Sequence, residues 1–478
     1  MANPIKFGTD GWRGIIAEDF TFDNVRTCAQ AVAEYLQQDK LDKRGLVIGY
    51  DTRFASEDFA AAAAEVLAGN DIKVHLCLKP TPTPVVSFAV PATKSAGAIV
   101  ITASHNPGSW NGFKYRSQDG ASAPGQVISQ IERNIASLIH CRESVKRLAL
   151  DKALKKGVVD YVDLSAAYFE RLSHLVDTKR LRRQKLNILV DSMYGAGIGY
   201  FKTVLQGWNL KITEINGERN PAFPQINPEP IARNLTRLSR SVLARKADVG
   251  LATDGDADRI GIVTEKGEFL NQLEVFSLLT QYFIEVRGER RPIVRSICSS
   301  NMINKLAEMH KIPLYVTRVG FKYIAPVMLE KDAFIGGEES GGYGFRGHVP
   351  ERDGILAGLF FLDYMIKTGK TPSQLLQHLF ETVGPHYYDR YDFEISPEQH
   401  HKTVAAMDTK KIDSVAGIKV TELDRMDGYK YNLEDGSWLL IRFSGTEPLI
   451  RIYTETTNGA QVPAILADGR KLAGLDRG

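Results

Sequence analysis

Three times along this chain, short apolar runs the length of a buried strand alternate with stretches whose apolar residues recur at helical spacing. Leu46–Tyr50 (LVIGY) reads as a buried strand, and Val25, Cys28, Ala29, Val32 and Leu36 before it fall on one helical face. Ser56 is placed to cap the following helix, with Glu57 and Asp58 in its first turn and Gly69-Asn70 at its end. Strand-like Lys73–Leu78 and Ala98–Ile101 follow. Such alternation implies a mainly parallel sheet covered by helices.

The pattern restarts with an expected helix over Asp160–Thr178, strands Leu186–Asp191, Leu210–Asn216 and Val249–Thr253, and a helix near Leu235–Lys246. It restarts again with strands Pro292–Ile297, Pro313–Thr317 and Ala333–Gly337 around helices near Asn301–His310 and Lys322–Lys331. The tail differs: His386–Ile395 alternates, and IKVTEL, YKYNLEDGSWLLIRF and LIRIYTET follow with an Asp435-Gly436 turn, the mark of antiparallel strands. The expectation is an α/β protein of four domains: 1–155, 156–270 and 271–385 as three similar α/β units with mixed or parallel sheets, and 386–478 as an α+β domain. A length of 478 residues agrees, at roughly 150 residues per domain.

Charge and composition exclude several classes. Sixty Lys and Arg against 57 Asp and Glu leave a formal charge of +3, so nothing points to nucleic acid or an anionic membrane as partner. The basic run Lys179–Lys185 has no interleaved aromatics and reads as a solvated connection. No stretch approaches the roughly 20 apolar residues that span a bilayer, and the first residues lack the layout of a secretory signal. Cys28, Cys77, Cys141 and Cys298 form no CxxC pair, which argues against a zinc site or disulfide framework and for a reducing, cytoplasmic setting.

Four loops carry chemistry. In VITASHNPGSWNGFK (Val100–Lys114) an apolar strand runs straight into Ser104-His105-Asn106-Pro107, at the strand end where α/β folds bind ligands. A GxSxG elbow is absent, so no hydrolase triad is indicated; an ordinary Ser/Asn/Pro turn is the competing reading. Lys114 can supply a proton or a positive charge. In ATDGDADRIGIV (Ala252–Val263), Asp254, Asp256 and Asp258 offer three hard carboxylates within five residues, suited to Mg²⁺. An EF-hand loop fails there because Arg259 stands where glycine is required and the flanks are strands. A DxDx[TV] nucleophile motif fits poorly, with Asp258 in the Thr/Val place. In IGGEESGGYGFRGHVPERDG (Ile335–Gly354), glycines surround Glu338, Glu339 and Ser340, a setting for bonding hydroxyls, and His348 and Arg352 follow. In IRFSGTEPLIRIY (Ile441–Tyr453), Arg442, Ser444, Gly445, Thr446 and Arg451 have the chemistry of a phosphate cradle. Either of the last two, taken alone, also fits a plain loop or hairpin. GAGIG (Gly195–Gly199) is not a dinucleotide fingerprint, and TRVGFK (Thr317–Lys322) is a weak strand-to-helix turn.

Together these loops resemble the α-D-phosphohexomutase family, the phosphoglucomutases and phosphomannomutases, along the whole chain and in order. FGTDGWRG (Phe7–Gly14) and NPEP (Asn227–Pro230) fit as well. The resemblance implies four domains around a cleft. It implies that Ser104 carries a phosphoryl group, with His105, Arg13, Lys114 and Arg259 beside it. Asp254, Asp256 and Asp258, with an oxygen on Ser104, would hold Mg²⁺. Gly320, Lys322, Glu338, Ser340, His348 and Arg352 would meet the sugar phosphate, and Arg442, Ser444, Gly445, Thr446 and Arg451 its non-reacting phosphate. The reaction implied is reversible transfer between the 1- and 6-positions of a hexose phosphate, glucose first, through a hexose 1,6-bisphosphate that is both intermediate and activator. A phosphomannomutase, a bisphosphate synthase with an external donor, a phosphatase and a non-catalytic sugar-phosphate-binding protein are the alternatives; a phosphoglucosamine mutase is disfavoured, because in the resemblance that branch reads DGDGDR in the metal loop and ends its sugar loop in histidine. Gly342 stands where some relatives carry histidine, and Arg352-Asp353-Gly354 suits the phosphoglucomutase-like branch. Arg318 stands where many relatives have proline.

Overall fold

The computed structural model describes residues 5–8, 10–141, 145–207, 209–409, 411–443 and 449–475. Within them lie four sheets, one per domain. In the first, the strands run in the order Trp12–Ile15, Trp110–Arg116, Ala98–Ile101, Leu46–Tyr50, Val74–Cys77 and Val159–Val162. The last four pair in parallel, and the first two are antiparallel additions. The second sheet sets Val249–Thr253, Asn187–Asp191 and Lys211–Ile215 in parallel and adds Ile260–Thr264 and Phe269–Leu270 antiparallel. The third sets Leu314–Thr317, Ile293–Ser296 and Ile335–Gly337 in parallel and adds Tyr343–Phe345 antiparallel. The fourth, from Tyr387–Glu394 through Leu449–Thr456, Trp438–Phe443, Tyr429–Leu433 and Ile418–Asp424 to Ser414–Val415, is antiparallel throughout.

The antiparallel strands position the site. In each of the first three domains a buried parallel strand ends in a ligand-type loop, and the chain turns back as an antiparallel neighbour instead of entering a helix. Residues 102–109 join Ala98–Ile101 to Trp110–Arg116, residues 254–259 join Val249–Thr253 to Ile260–Thr264, and residues 338–342 join Ile335–Gly337 to Tyr343–Phe345. Each loop contains a left-handed residue that lets it reverse: Ser104 at φ +54°, Ala257 at +59° and Gly341 at +87°.

Two expectations are corrected. Residues 159–162 are not helical. They form the edge strand of the first sheet, paired with Val74–Cys77, so that sheet reaches past residue 155; the helix starts only at Ser165. Ser56 does not cap its helix. Ala55, in the left-handed region at φ +54°, holds the cap position, and the Ser56 hydroxyl donates to Asp51 instead.

The first domain has its own core, between its sheet and helices such as Phe22–Gln38 and Ser56–Gly69. The second and third share one, through which runs the helix Gly354–Thr368, capped by the Asp353 carboxylate on Leu356 N–H. The fourth has a separate core and meets the third across a small apolar seam of Ile297, Cys298, Trp438, Leu440 and Tyr453. Among the described residues no helix is long and apolar enough to cross a membrane.

Candidate active site

Ser104 stands at the end of a fully buried strand. Its hydroxyl donates to Asp254 Oδ2 at 2.8 Å, which joins the loop of the first domain to that of the second. The two loops are in close contact, since a Cβ added to Gly255 would lie 2.3 Å from the Ser104 carbonyl oxygen. His105 Nδ1 is 3.5 Å from the same hydroxyl. Burial, followed by the charges of Arg259, Arg13, Arg451 and Arg390, holds the His105 imidazole well below its ordinary value, so it is neutral at pH 7.

Asp254, Asp256 and Asp258 are fully buried, and one carboxylate oxygen from each lies within 4.8 Å of the others. Among the described residues, Asp256 Oδ1 and Asp258 Oδ1 have no hydrogen-bond partner. Burial and the two neighbouring carboxylates push Asp254 well above the ordinary range. Orphaned anionic oxygens in a dry, self-repelling cluster are what a hard divalent cation would satisfy, so the residues present fit Mg²⁺.

Cations surround the triad. Lys114 Nζ lies 2.9 Å from Asp256 and 2.8 Å from Asp10. Burial would discharge it, but Asp10, Asp256 and Asp258 outweigh burial and raise its pKa, so Lys114 is a fixed charge. In turn, burial of Asp256 is outweighed by Lys114, leaving that carboxyl below the ordinary range. Thr83 also donates to Asp256, at 2.6 Å. Arg259 reaches Asp254, Asp258 and Glu229 of NPEP at 3.9–4.0 Å. Arg13 donates to Asn106 Oδ1.

From the third domain, Arg352 bonds Asp258 at 2.7 Å, Asp10 at 2.8 Å and Glu338 at 3.1 Å, tying three domains together. Glu338 also accepts from Gly320 N–H at 2.8 Å. Lys322 lies two residues on, its ammonium over the Tyr323 ring. Ser340 Oγ is buried and has no partner among the described residues; with Glu229, Tyr388 and Arg390 it lines a cavity of about 770 Å³ shared by the second, third and fourth domains, and Ser104 is not part of that lining. The volume suits a small polar ligand.

Not every expected residue is brought to this cluster. The His348 ring is buried, bonded to Asp353 at 3.0 Å and packed against Phe88 and Tyr168. In the fourth domain Arg442 pairs with Asp427 at 2.9 Å; Arg451, its Nε 3.8 Å from Asp392, stands near enough for its charge to act on His105 and Glu339. Ser444, Gly445 and Thr446 lie outside the described residues.

Several residues were not anticipated from the sequence. Asp10 bridges Lys114, Arg116 and Arg352. Glu351 holds the buried Arg116 and the Ser122 N–H. Arg390 and Tyr388 of the fourth domain clasp Glu339 of the third, with Arg390 at 2.9 Å. Asp51 and Arg53 anchor the serine loop; the signal for them was the charged Asp51-Thr52-Arg53 run at the end of a buried strand, a strand end of the same kind as that before Ser104.

Three domains that each turn one loop toward a serine, a carboxylate triad and a ring of cations, with Tyr388 and Arg390 of a fourth clasping the third of these loops, have the architecture of phosphohexomutases. Comparison with known proteins agrees. Models of phosphoglucomutase/phosphomannomutase alpha/beta/alpha domains I, II and III match residues 4–140, 166–267 and 272–383, and that of the C-terminal domain matches 403–471. The chain is 30% identical over 466 residues to the phosphoglucomutase/phosphomannomutase of Thermococcus kodakarensis, covering 98% of each. It is 29% identical over 465 residues to the phosphoglucosamine mutase of Idiomarina loihiensis, covering 97% of each. A solved structure from Thermus thermophilus, assigned as a phosphomannomutase, superposes with a TM-score of 0.86 at 35% identity, covering 99% of this chain and 100% of that one. The chain belongs to the phosphoglucomutase/phosphomannomutase family of enzymes.

Proposed function

We propose that this enzyme interconverts the 1- and 6-phosphates of a hexose, glucose first, with Ser104 as the group that gives and takes the phosphoryl. The observation that carries this reading is the Ser104 hydroxyl at 2.8 Å from a buried triad with two orphaned carboxylate oxygens. In the forward direction phosphorylated Ser104 would pass its phosphoryl to the free sugar hydroxyl, giving a hexose 1,6-bisphosphate, and would recover a phosphoryl from the other position. Phosphoryl transfer depends mainly on positioning and charge neutralisation, and the fixed cations Lys114, Arg13 and Arg259 supply the charge. Mg²⁺ held by Asp254, Asp256 and Asp258 would act as a Lewis acid beside the transferring group. Ser340, with its unpartnered hydroxyl, is suited to a sugar hydroxyl. Arg442 and Arg451, with the residues between them, would hold the other phosphate.

The choice of a neutral hexose over an amino sugar is supported by Gly342. The Arg352 side chain crosses it, and a Cβ there would lie 2.2 Å from Arg352 Cδ, so a histidine at this place would have to displace the Arg352 side chain from its present path. The test is a panel of glucose, mannose and glucosamine phosphates, run with wild type and Ser104→Ala. Wild type should gain the mass of one phosphate on Ser104 from glucose 1,6-bisphosphate and turn over glucose 1-phosphate. Ser104→Ala should do neither while remaining folded. Activity retained in Ser104→Ala would sink the reading. Free bisphosphate accumulating from an external donor would make the enzyme a synthase, and release of phosphate alone a phosphatase.

A further inference from the structure

The serine loop reverses through a left-handed residue, so its backbone has few ladder partners of its own. Those partners come from one buried side chain. Arg53 is 0% exposed and donates to the carbonyls of Ser104, Asn106 and Pro107, each at 2.7 Å, and of Trp110 at 2.9 Å. Its Nε is held by Asp51 Oδ2 at 3.1 Å, and the Phe223 ring of the second domain lies over the guanidinium at 4.9 Å. The same Asp51 oxygen accepts from Thr102 Oγ1 at 2.6 Å, and that hydroxyl accepts from Ser104 N–H at 2.8 Å. Both peptide planes that flank Ser104 are therefore fixed, the N–H through Thr102 and the carbonyl through Arg53, and both trace back to one carboxylate.

We propose that Arg53 is a positioning residue for phosphoryl transfer. It sets the backbone of Ser104 so that the hydroxyl faces Asp254, and it does so without touching substrate. The inference rests on the assignment of Ser104 as phosphoryl carrier. A planar guanidinium with five donors can hold four carbonyls of one loop; an ammonium, with three donors on a flexible stem, cannot.

The experiment compares wild type, Arg53→Lys, Arg53→Gln and Ser104→Ala on whichever sugar phosphate of the panel wild type turns over. Rates are expressed per folded enzyme, measured by circular dichroism and thermal unfolding. In Arg53→Lys, kcat should fall about 100-fold, the loss expected for a reacting group misplaced by about 1 Å, with KM within about threefold. Uptake of phosphate onto Ser104 from glucose 1,6-bisphosphate, followed by intact mass, should slow by the same factor as kcat. Three results would overturn the proposal: kcat within threefold of wild type, a rise in KM at unchanged kcat, or failure of both Arg53 variants to fold, which would make Arg53 a requirement of the fold alone. Ser104→Ala separates the two readings. An active Ser104→Ala removes the serine assignment itself, whereas an inactive Ser104→Ala beside a normal Arg53→Lys removes only the role of Arg53.

Discussion

Gly255→Ala tests how closely the first two domains must approach for the site to form. Its Cβ would lie 2.3 Å from the Ser104 carbonyl oxygen and 3.3 Å from Pro228 Cγ. An ordinary carbon–oxygen contact is about 3.3–3.6 Å, so the two loops must separate by about 1 Å. Neither can yield locally. The Ser104 carbonyl is bonded to Arg53 at 2.7 Å, while Gly255 is pinned on its own side by the Pro228 carbonyl and by the Ala196 N–H, at 3.2 and 2.9 Å. The separation falls on the 2.8 Å bond between Ser104 and Asp254, which sets the proposed phosphoryl carrier against the carboxylate triad. Overpacking of this kind costs about 1–3 kcal/mol of stability, and a 1 Å misplacement about 100-fold in rate. Steady-state assay should show kcat down by about two orders of magnitude, while thermal unfolding still reports a folded enzyme. A folded Gly255→Ala with kcat within threefold of wild type would refute the claim that these loops are held rigidly against each other.

Two further predictions concern charge. Mg²⁺ should stabilise wild type, by about 2.7 kcal/mol at 100 times its Kd, and should lose most of this effect in Asp256→Asn; equal shifts in Tm for the two proteins would remove Asp256 from the ligand set. At the seam between the third and fourth domains, Lys430 donates to the Ile297 carbonyl at 2.8 Å and lies 4.5 Å over the Trp438 ring. Burial, reinforced by Arg295, pushes its pKa down to about 7. Below pH 7 both the folded and unfolded chains hold this proton and the penalty for burying the charge is fully present. Between pH 7 and roughly 10.5 the unfolded chain holds a proton the folded one has lost, so stability rises with pH at about 1.4 kcal/mol per unit. Lys430→Met should lack that contribution. Unfolding of both proteins at pH 7 and 8.5 checks it, and a stability difference that does not change with pH would refute it.

What the sequence revealed, and what it hid, follows from the range of the interactions. Ala98–Ile101 and Val249–Thr253 fall where the apolar runs place them, because a strand buried on both faces shows its length in its own residues. The alternation of Tyr387–Glu394 likewise survives in an antiparallel sheet with one open face. Val159–Val162 was hidden because it is a part-exposed edge strand whose partner lies some 85 residues back, and its tyrosine and valines merge into the helical spacing that follows. A strand on each side of the Asp254–Arg259 loop was legible, but the antiparallel direction of the return there, and the returns after the other two site loops, were hidden because a glycine-rich turn serves a hairpin as well as an entry into a helix. At the site, Ser104 and the three aspartates were legible because each loop is local in sequence. Asp10, Arg53 and Glu351 were not, since each acts on groups far away in the chain: Asp10 on Arg352, Arg53 on a loop some 50 residues on, Glu351 on Arg116.

The same distinction between buried and part-exposed contacts bears on how the fourth domain is held. Its attachment to the third combines an apolar seam, in which Trp438, Leu440, Ile297 and Tyr453 are at most 1% exposed, with backbone bonds from Asn301 N–H to Glu455 and from Val319 N–H to Asp427. Opening that seam would expose several large side chains, each worth about 1.5–3 kcal/mol of burial. On the side facing the cleft the contacts are of another kind: Arg390 with Glu339 at 2.9 Å and with Glu229 at 3.8 Å, the arginine side chain 22% exposed. The Glu339 side chain is only 10% exposed, so this pair gives way only where another charge replaces one partner. A phosphate entering beside Arg390 competes directly with Glu339 and Glu229 for the guanidinium. Separation at the seam exposes apolar surface with nothing to replace the lost contacts, whereas on the cleft side an incoming anion can take over the guanidinium. On the proposed reading, a bisphosphate that turned over in the cleft without escaping would call for a domain held firmly at one edge and exchangeably at the other, which this division of apolar and ionic contacts would supply.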